Sequence, residues 1–208
     1  MDVEVDRSHG GPMIVVMQAT LLVLAGGESR RMGRTKAWLE VGETTLVRWV
    51  AERLAPGFSE VVVSFAEPEQ VEQLLPYRIV FDRKPSAGPL AGLEAGLITA
   101  TNEITFAVAC DMPYVTREVA EMAVVATRSC DAAIPKIDGR PEPACAAYRR
   151  SALGAITAAL DAGRYKAADL AEQLDVTWLE GLDEDMFRSL NSPADYERFR
   201  RELGRGDN

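Results

Sequence analysis

Three short stretches hold residues whose types and spacing could do chemistry, and each sits where an apolar run meets a turn. The first is residues 20–36, TLLVLAGGESRRMGRTK, where the apolar run 21–25 breaks at Gly26-Gly27 and is followed by the cations Arg30, Arg31, Arg34 and Lys36. Glycine lets bare backbone N–H groups approach a ligand closely. A glycine turn after a buried strand, lined with fixed positive charge, is a cradle for a polyphosphate. The cluster runs against the background of a chain with net charge -9. The second stretch places Asp82 at the end of an apolar run, ahead of Gly88-Pro89-Leu90-Ala91-Gly92. The third is Cys110-Asp111-Met112-Pro113, directly after the apolar run 104–109. A carboxylate at a strand tip, beside a stiffening proline, is placed to hold Mg²⁺ at phosphates.

Spacing excludes two familiar phosphate loops. A P-loop needs G-x-x-x-x-G-K-[ST], and here Arg34-Thr35 separates Gly33 from Lys36; the dinucleotide fingerprint G-x-G-x-x-G is likewise missing from 26–31. No Ser-His or Cys-His pair offers a protein nucleophile. The only histidine, His9, lies in the polar stretch 1–12, where nothing nearby would fix it. Cys110, Cys130 and Cys145 form no C-x-x-C pair and no metal spacing, and their apolar settings suit buried free thiols in a reducing compartment.

The elements that must position these residues alternate. The patterning predicts strands over 21–25, 61–65, 77–81, 104–109, 131–135, 144–148 and 176–180. Between them it predicts helices over 46–54 (capped by Thr44), 67–75, 89–97, 115–128 and 151–163, with a further helix start at 166–170 and a last helix from Ala194. The strands 131–135 and 144–148 are joined across Asp138-Gly139. Such alternation implies βαβ crossovers and a mostly parallel sheet, whose ligands bind beyond the carboxyl ends of the strands. Arg164 and Lys166 could dock a second anion, whereas 183–185 reads as a solvated acidic loop. Residues 1–18 read as a flexible leader, and 19–208 as one domain.

At 208 residues, 47 % hydrophobic and 26 % charged, the composition is that of an ordinary globular domain. No apolar run reaches the roughly 18–20 residues that span a bilayer. The acidic balance disfavours a nucleic-acid surface and suits a small-molecule enzyme in the cytoplasm.

The ordered motif L-A-G-G-x-S-x-R-M-G-x-x-K, at 24–36, resembles the signature of the sugar-phosphate-type nucleotidyltransferases, and among them the molybdenum cofactor guanylyltransferases, the MobA family. The likeness extends over about residues 19–203. It is carried by 24–36, by 82–92, which is similar to the family's aspartate before G-P-L-A-G, and by 110–113, which is similar to its C-D-x-P. It implies a three-layer, Rossmann-like α/β fold with a mostly parallel central sheet. The implied reaction is attack by the terminal phosphate of molybdopterin on the α-phosphorus of GTP, with Mg²⁺ as cofactor. Asp111 would bind the metal, while Arg31 and Lys36 would neutralise phosphates. Leu24, Ala25, Gly26, Gly27, Lys36, Asp82, Gly88, Pro89, Leu90 and Asp111 would contact the nucleotide. Asn191 matches one asparagine of the family's late N-x-N-[ST]-P element and would face the second substrate. Ser189 stands at the other asparagine, and Ser64 replaces the asparagine that the family has after the second strand. The resemblance also admits molybdenum-insertion or molybdoenzyme chaperone proteins as partners.

Two rival readings stay open. One is a sister transferase on the same fold that uses CTP or makes another nucleotide-linked product; 88–92 and 25–27 favour the guanylyl branch. The other is a non-catalytic nucleotide-binding module, against which Lys36, Asp82 and Asp111 stand together, since a sensor needs no metal carboxylate.

Overall fold

The computed structural model describes residues 16–26, 35–166 and 170–206. Its strands are β1 (Met17–Leu24), β2 (Glu40–Val41), β3 (Thr44–Thr45), β4 (Phe58–Phe65), β5 (Arg78–Phe81), β6 (Ile104–Ala109), β7 (Ala132–Ile137), β8 (Arg140–Pro141), β9 (Cys145–Arg149) and β10 (Val176–Leu179). The α-helices are α1 (Leu46–Leu54), α2 (Pro89–Thr99), α3 (Arg117–Ala126), α4 (Leu153–Asp161) and α5 (Pro193–Gly206).

Across the main sheet the order is β10-β7-β9-β6-β1-β4-β5, with β8 attached to β7. β1 runs parallel to both β4 and β6, β5 parallel to β4, and β10 parallel to β7. β9 alone runs antiparallel to its two long neighbours, β6 and β7. The expected mostly parallel sheet is therefore present.

The apolar run that opens the first motif is central because both of its faces are covered. Leu21 and Val23 pack with Val47, Val50 and Leu54 of α1 and Val119 and Val124 of α3; Leu22 and Leu24 pack with Leu90, Leu93 and Leu97 of α2 and Ile156 and Leu160 of α4. Such a strand reads as a continuous apolar run and not as an alternation. Each fully buried aliphatic side chain contributes roughly 1.5–3 kcal/mol. Helix α5 closes a third, smaller cluster, in which Phe199 and Leu190 meet Val41 and Leu46. The result is the three-layer arrangement that the resemblance implied.

Several expectations are corrected. Residues 67–75 form no α-helix: only a 3₁₀ turn, Pro68–Gln70, is present. Leu74 is 94 % exposed, so the segment has no continuous apolar face to bury, and so short a helix is marginal without one. The Gln70 side chain instead accepts from Ala66 N, and the Gln70 backbone carbonyl accepts from Trp38 Nε1. Thr44 does not cap α1. It lies in β3, which pairs with β2 across Gly42 at φ +58, and the helix starts after Thr45 with no side-chain cap bond. The turn at Asp138-Gly139 closes a hairpin of β7 with the short β8, from which the chain returns as β9. β1 begins at Met17, two positions before the expected start of the domain; residues 1–15 lie outside the described residues. The helix expected to start at 166–170 falls largely on 167–169, also outside them. At 183–185 the acidic run belongs to a 3₁₀ turn, Glu184–Phe187, capped by the Asp183 carboxylate. Among the described residues, no helix is long and apolar enough to cross a membrane.

Candidate active site

The carboxyl ends of β5, β4, β1 and β6, together with the amino end of the antiparallel β9, open into one cleft of about 230 Å³. In a parallel sheet this edge collects the loops that follow the strands, which is why ligands bind there. Leu24, Gly26, Lys36, Ser64, Asp82, Gly88, Pro89, Gly92, Asp111, Glu142 and Ser189 are among the residues that line it.

Asp111 is held from three sides. Cys110 N donates to Leu24 O at 3.0 Å, which carries the pairing with β1 past the end of β6, and Met112 N donates to Ala109 O at 3.1 Å. The late segment then reaches back: Leu190 N donates to Asp111 O at 2.8 Å. Lys36 opens a 3₁₀ turn whose next residues, Ala37 and Trp38, are buried. Trp38 stacks on Phe65 with ring centroids 5.7 Å apart. With its neighbours fixed in the core, Lys36 extends into the cleft. Its Nζ donates to Asp111 Oδ2 at 2.7 Å and to Asn191 Oδ1 at 3.1 Å.

Asn191 is free for that contact because the helix cap is made by its neighbours. Ser192 Oγ accepts from Asp195 N at 3.2 Å, while the Asp195 carboxylate accepts from Ser192 N at 2.9 Å and Ser192 Oγ at 2.7 Å. This reciprocal pair satisfies the first turn of α5. The cap of this helix thus belongs to Ser192, and Asn191 bonds to Lys36 instead.

At the other end of the cleft, Asp82 follows β5, its N donating to Phe65 O at 3.1 Å. Its Oδ1 is buried without a hydrogen-bond partner. Burial, and after it the nearby Glu94 carboxylate, push the Asp82 carboxyl up to about 7. The cations beside it do not answer this charge. Arg83 binds Glu94 through Nη2 at 2.8 Å, and Lys84 Nζ binds Asp161 at 2.8 Å. Those ion pairs tie the loop to α2 and α4 and leave Asp82 open to a ligand. Gly88, at φ +68, is the N-cap residue of α2, with Pro89 at the first helical position; a Cβ is disfavoured at that φ. Gly92 lets α2 approach the cleft floor closely: a Cβ there would lie 2.5 Å from Ser64 Oγ and 3.5 Å from Asp82 Oδ1.

The expected residues are therefore gathered with four exceptions. Ala25 and Leu90 are each 1 % exposed and lie beneath the cleft instead of in its wall. Arg31, with Gly27, lies outside the described residues. Glu142 was missed by sequence reasoning. Its one signal is a carboxylate between two prolines just before β9, and its place in the cleft follows from the pairing of β9 with β6. The three cysteines are free and buried, as expected; burial raises the Cys110 and Cys145 thiols well above the ordinary range.

Among the described residues no three acidic, His or Cys side chains converge on a metal position. One strand-tip carboxylate is the kind of donor set that suits Mg²⁺, which keeps waters and takes one or two carboxylates together with substrate phosphates. Asp111 fits that description. Lys36 beside it is a compact charge for phosphate oxygens.

Comparison with known proteins agrees with this geometry. A protein of Pelotomaculum thermopropionicum named "Probable molybdenum cofactor guanylyltransferase" is 35 % identical over 192 residues, covering 89 % of this chain and 93 % of that protein. The crystal structure of molybdopterin-guanine dinucleotide biosynthesis protein A from Archaeoglobus fulgidus is similar with a TM-score of 0.78 at 28 % identity, over 89 % of this chain and 99 % of that one. The 2-C-methyl-D-erythritol 4-phosphate cytidylyltransferase of Thermus thermophilus shares the fold, with a TM-score of 0.70 at 19 % identity over 90 % of this chain and 100 % of that one. Residues 21–177 match the family described as "MobA-like NTP transferase domain", and the chain, a nucleotidyltransferase, belongs to that family.

Proposed function

We propose that the protein is a molybdenum cofactor guanylyltransferase that transfers GMP from GTP to the terminal phosphate of molybdopterin. An oxygen of that phosphate attacks the α-phosphorus of GTP. A new P–O–P link forms, the bond from the α-phosphorus to the bridging oxygen breaks, and its electron pair leaves on pyrophosphate. Such a step asks the protein for positioning and charge stabilisation and needs no protein nucleophile.

The observation that carries this reading is the cleft in which Lys36 Nζ lies 2.7 Å from Asp111 Oδ2, with Asp82 and the α2 N-terminus lining the same cavity. Lys36 places its ammonium where phosphate oxygens would lie, and Arg31 adds a second cation from the glycine turn. Gly26 and Gly27 supply backbone donors, and Gly88 and Pro89 let the nucleotide approach α2. Asp82, ionised, accepts the N–H donors of the guanine edge. Asn191 holds the Lys36 ammonium in the free protein and faces the second substrate once phosphates take its place. Asp111 would hold Mg²⁺, which supplies charge neutralisation at the triphosphate when bound.

The buried free thiols suit a reducing compartment, and we place the protein in the cytoplasm, handing its product to molybdenum-insertion or molybdoenzyme chaperone proteins. The test is incubation with each nucleoside triphosphate, Mg²⁺ and molybdopterin, following dinucleotide and pyrophosphate. Product with GTP is expected. Product with CTP and none with GTP would move the protein to the cytidylyl branch, and no product with any of them would make it a binding module.

A further inference from the structure

Beside Asp82 and Asp111 the cleft holds a third carboxylate, which the proposed roles leave unused. Glu142 lines it at the end opposite Asp82. In the sheet order, Asp82 follows the edge strand β5, Asp111 follows the central β6, and Glu142 precedes β9, the next strand beyond β6. Neighbouring strands lie about 4.8 Å apart. The Lys36–Asp111 pair therefore stands between the two carboxylates, with three strand steps on the Asp82 side and one on the Glu142 side.

The backbone of Glu142 is fixed. It sits between Pro141 and Pro143; its N donates to Pro135 O at 2.9 Å, and its O accepts from Cys145 N at 3.0 Å. Tyr148 Oη donates to Pro143 O at 2.7 Å, and Ala109 N donates to Ala144 O at 2.8 Å, which locks this turn to the end of β6. Its half-buried carboxylate has no hydrogen bond or ion pair among the described residues. Burial alone raises its carboxyl above the ordinary range, with no cation among the described residues answering its charge. An acceptor carried on a fixed backbone into an open cleft, without a partner among the described residues, is placed to take donors from a ligand.

We propose that the Glu142 carboxylate recognises the pterin end of the second substrate, accepting hydrogen bonds from its 2-amino group and the adjacent lactam N–H. This rests on the guanylyltransferase reading and deepens it. Guanine and pterin share the same 2-amino, lactam N–H edge, and an ionised carboxylate, which only accepts, is its complement. The site then carries one such carboxylate at each end, Asp82 for the base and Glu142 for the pterin, with the phosphates meeting between them at Lys36 and Asp111. Phosphate contacts alone would not separate molybdopterin from other phosphate monoesters; Glu142 supplies that discrimination.

The experiment follows turnover against molybdopterin concentration at saturating GTP·Mg²⁺, so that the base end is filled. Simple pterin and lumazine, which carries an oxo group in place of the 2-amino group, serve as competitors. Glu142→Gln should raise the KM for molybdopterin by about tenfold or more, with kcat and GTP affinity within about twofold of the wild type. Pterin should inhibit the wild type far better than lumazine, and the variant should lose that preference, with Glu142→Asp regaining part of it. An unchanged KM, or equal inhibition of the wild type by pterin and lumazine, overturns the proposal. So does loss of GTP affinity, or a fall in kcat with altered Mg²⁺ dependence, since either would place Glu142 in the structural or phosphate machinery. If the wild type itself forms no dinucleotide from molybdopterin, the guanylyltransferase reading falls, and this proposal with it.

Discussion

Lys36 and Asp111 stand 75 residues apart in the chain, yet Lys36 Nζ lies 2.7 Å from Asp111 Oδ2, with side chains 18 % and 22 % exposed. The pair is wetted by the cleft, and such pairs contribute about 1 kcal/mol or less to stability. Its value is positional: the cation is already at the mouth of the cleft, beside the carboxylate proposed to hold the metal.

Replacing either member should therefore separate turnover from folding. Lys36→Ala should lower the single-turnover rate by ~10²-fold, equivalent to about 2.7 kcal/mol of transition-state stabilisation. Asp111→Asn keeps the shape and should abolish Mg²⁺-dependent turnover. Both variants should melt, without ligand, within a few degrees of the wild type. An active Asp111→Asn protein with unchanged Mg²⁺ dependence would assign the metal to another carboxylate.

Base choice can be read from thermal melts. GTP·Mg²⁺ should stabilise the protein well above CTP or ATP, by about 2.7 kcal/mol at a hundredfold excess over Kd. Equal shifts for GTP and CTP would remove the guanylyl assignment.

Asp82 gives a pH signature. Its carboxyl is raised from 3.8 in the unfolded chain to about 7 in the folded protein. The folded state thus holds the proton more tightly. The resulting stability is full below about pH 4 and is lost as pH rises through about 7. Subtracting the melting profile of Asp82→Asn, which cannot titrate there, should isolate a loss across that window. The guanine contact proposed for Asp82 needs its ionised form, so GTP affinity should climb across the same window. A flat difference profile would mean that Asp82 is ionised throughout.

Two glycines of α2 should behave oppositely. At Gly96 a Cβ would lie 2.2 Å from Leu22 Cδ2, against the fully buried central strand. Gly96→Ala should destabilise by about 1–3 kcal/mol through overpacking and leave GTP affinity unchanged. At Gly92 the nearest atom is Ser64 Oγ, at 2.5 Å, a small group that can rotate toward the cleft. Gly92→Ala should weaken GTP binding more than it lowers the melting temperature. Calorimetric titration beside a melt checks both, and the reverse pattern would place the nucleotide away from α2.

The parts of this protein that were legible in the sequence are those fixed by local chemistry. An apolar run such as 21–25 can be satisfied only between two layers of helices, and so it marked the central strand. Gly88 and Pro89 announced a helix start because few other residue pairs fit that backbone. Asp82 and Asp111 were visible because each ends an apolar run at a turn. The helix expected at 67–75 failed because its apolar residues had no neighbour to bury against, and Leu74 stands in solvent; periodicity does not report the partner. The hairpin that carries Thr44 depends on pairing across Gly42, which outweighed a plausible cap. Glu142 could not be placed from its flanking prolines, because its meaning comes from β9 running antiparallel beside β6. The sequence determined which turns could hold phosphates. Only the tertiary structure decided that Lys36, Asp111, Asn191 and Glu142 would meet in one cleft, because the sheet order that joins them rests on contacts between residues far apart in the chain.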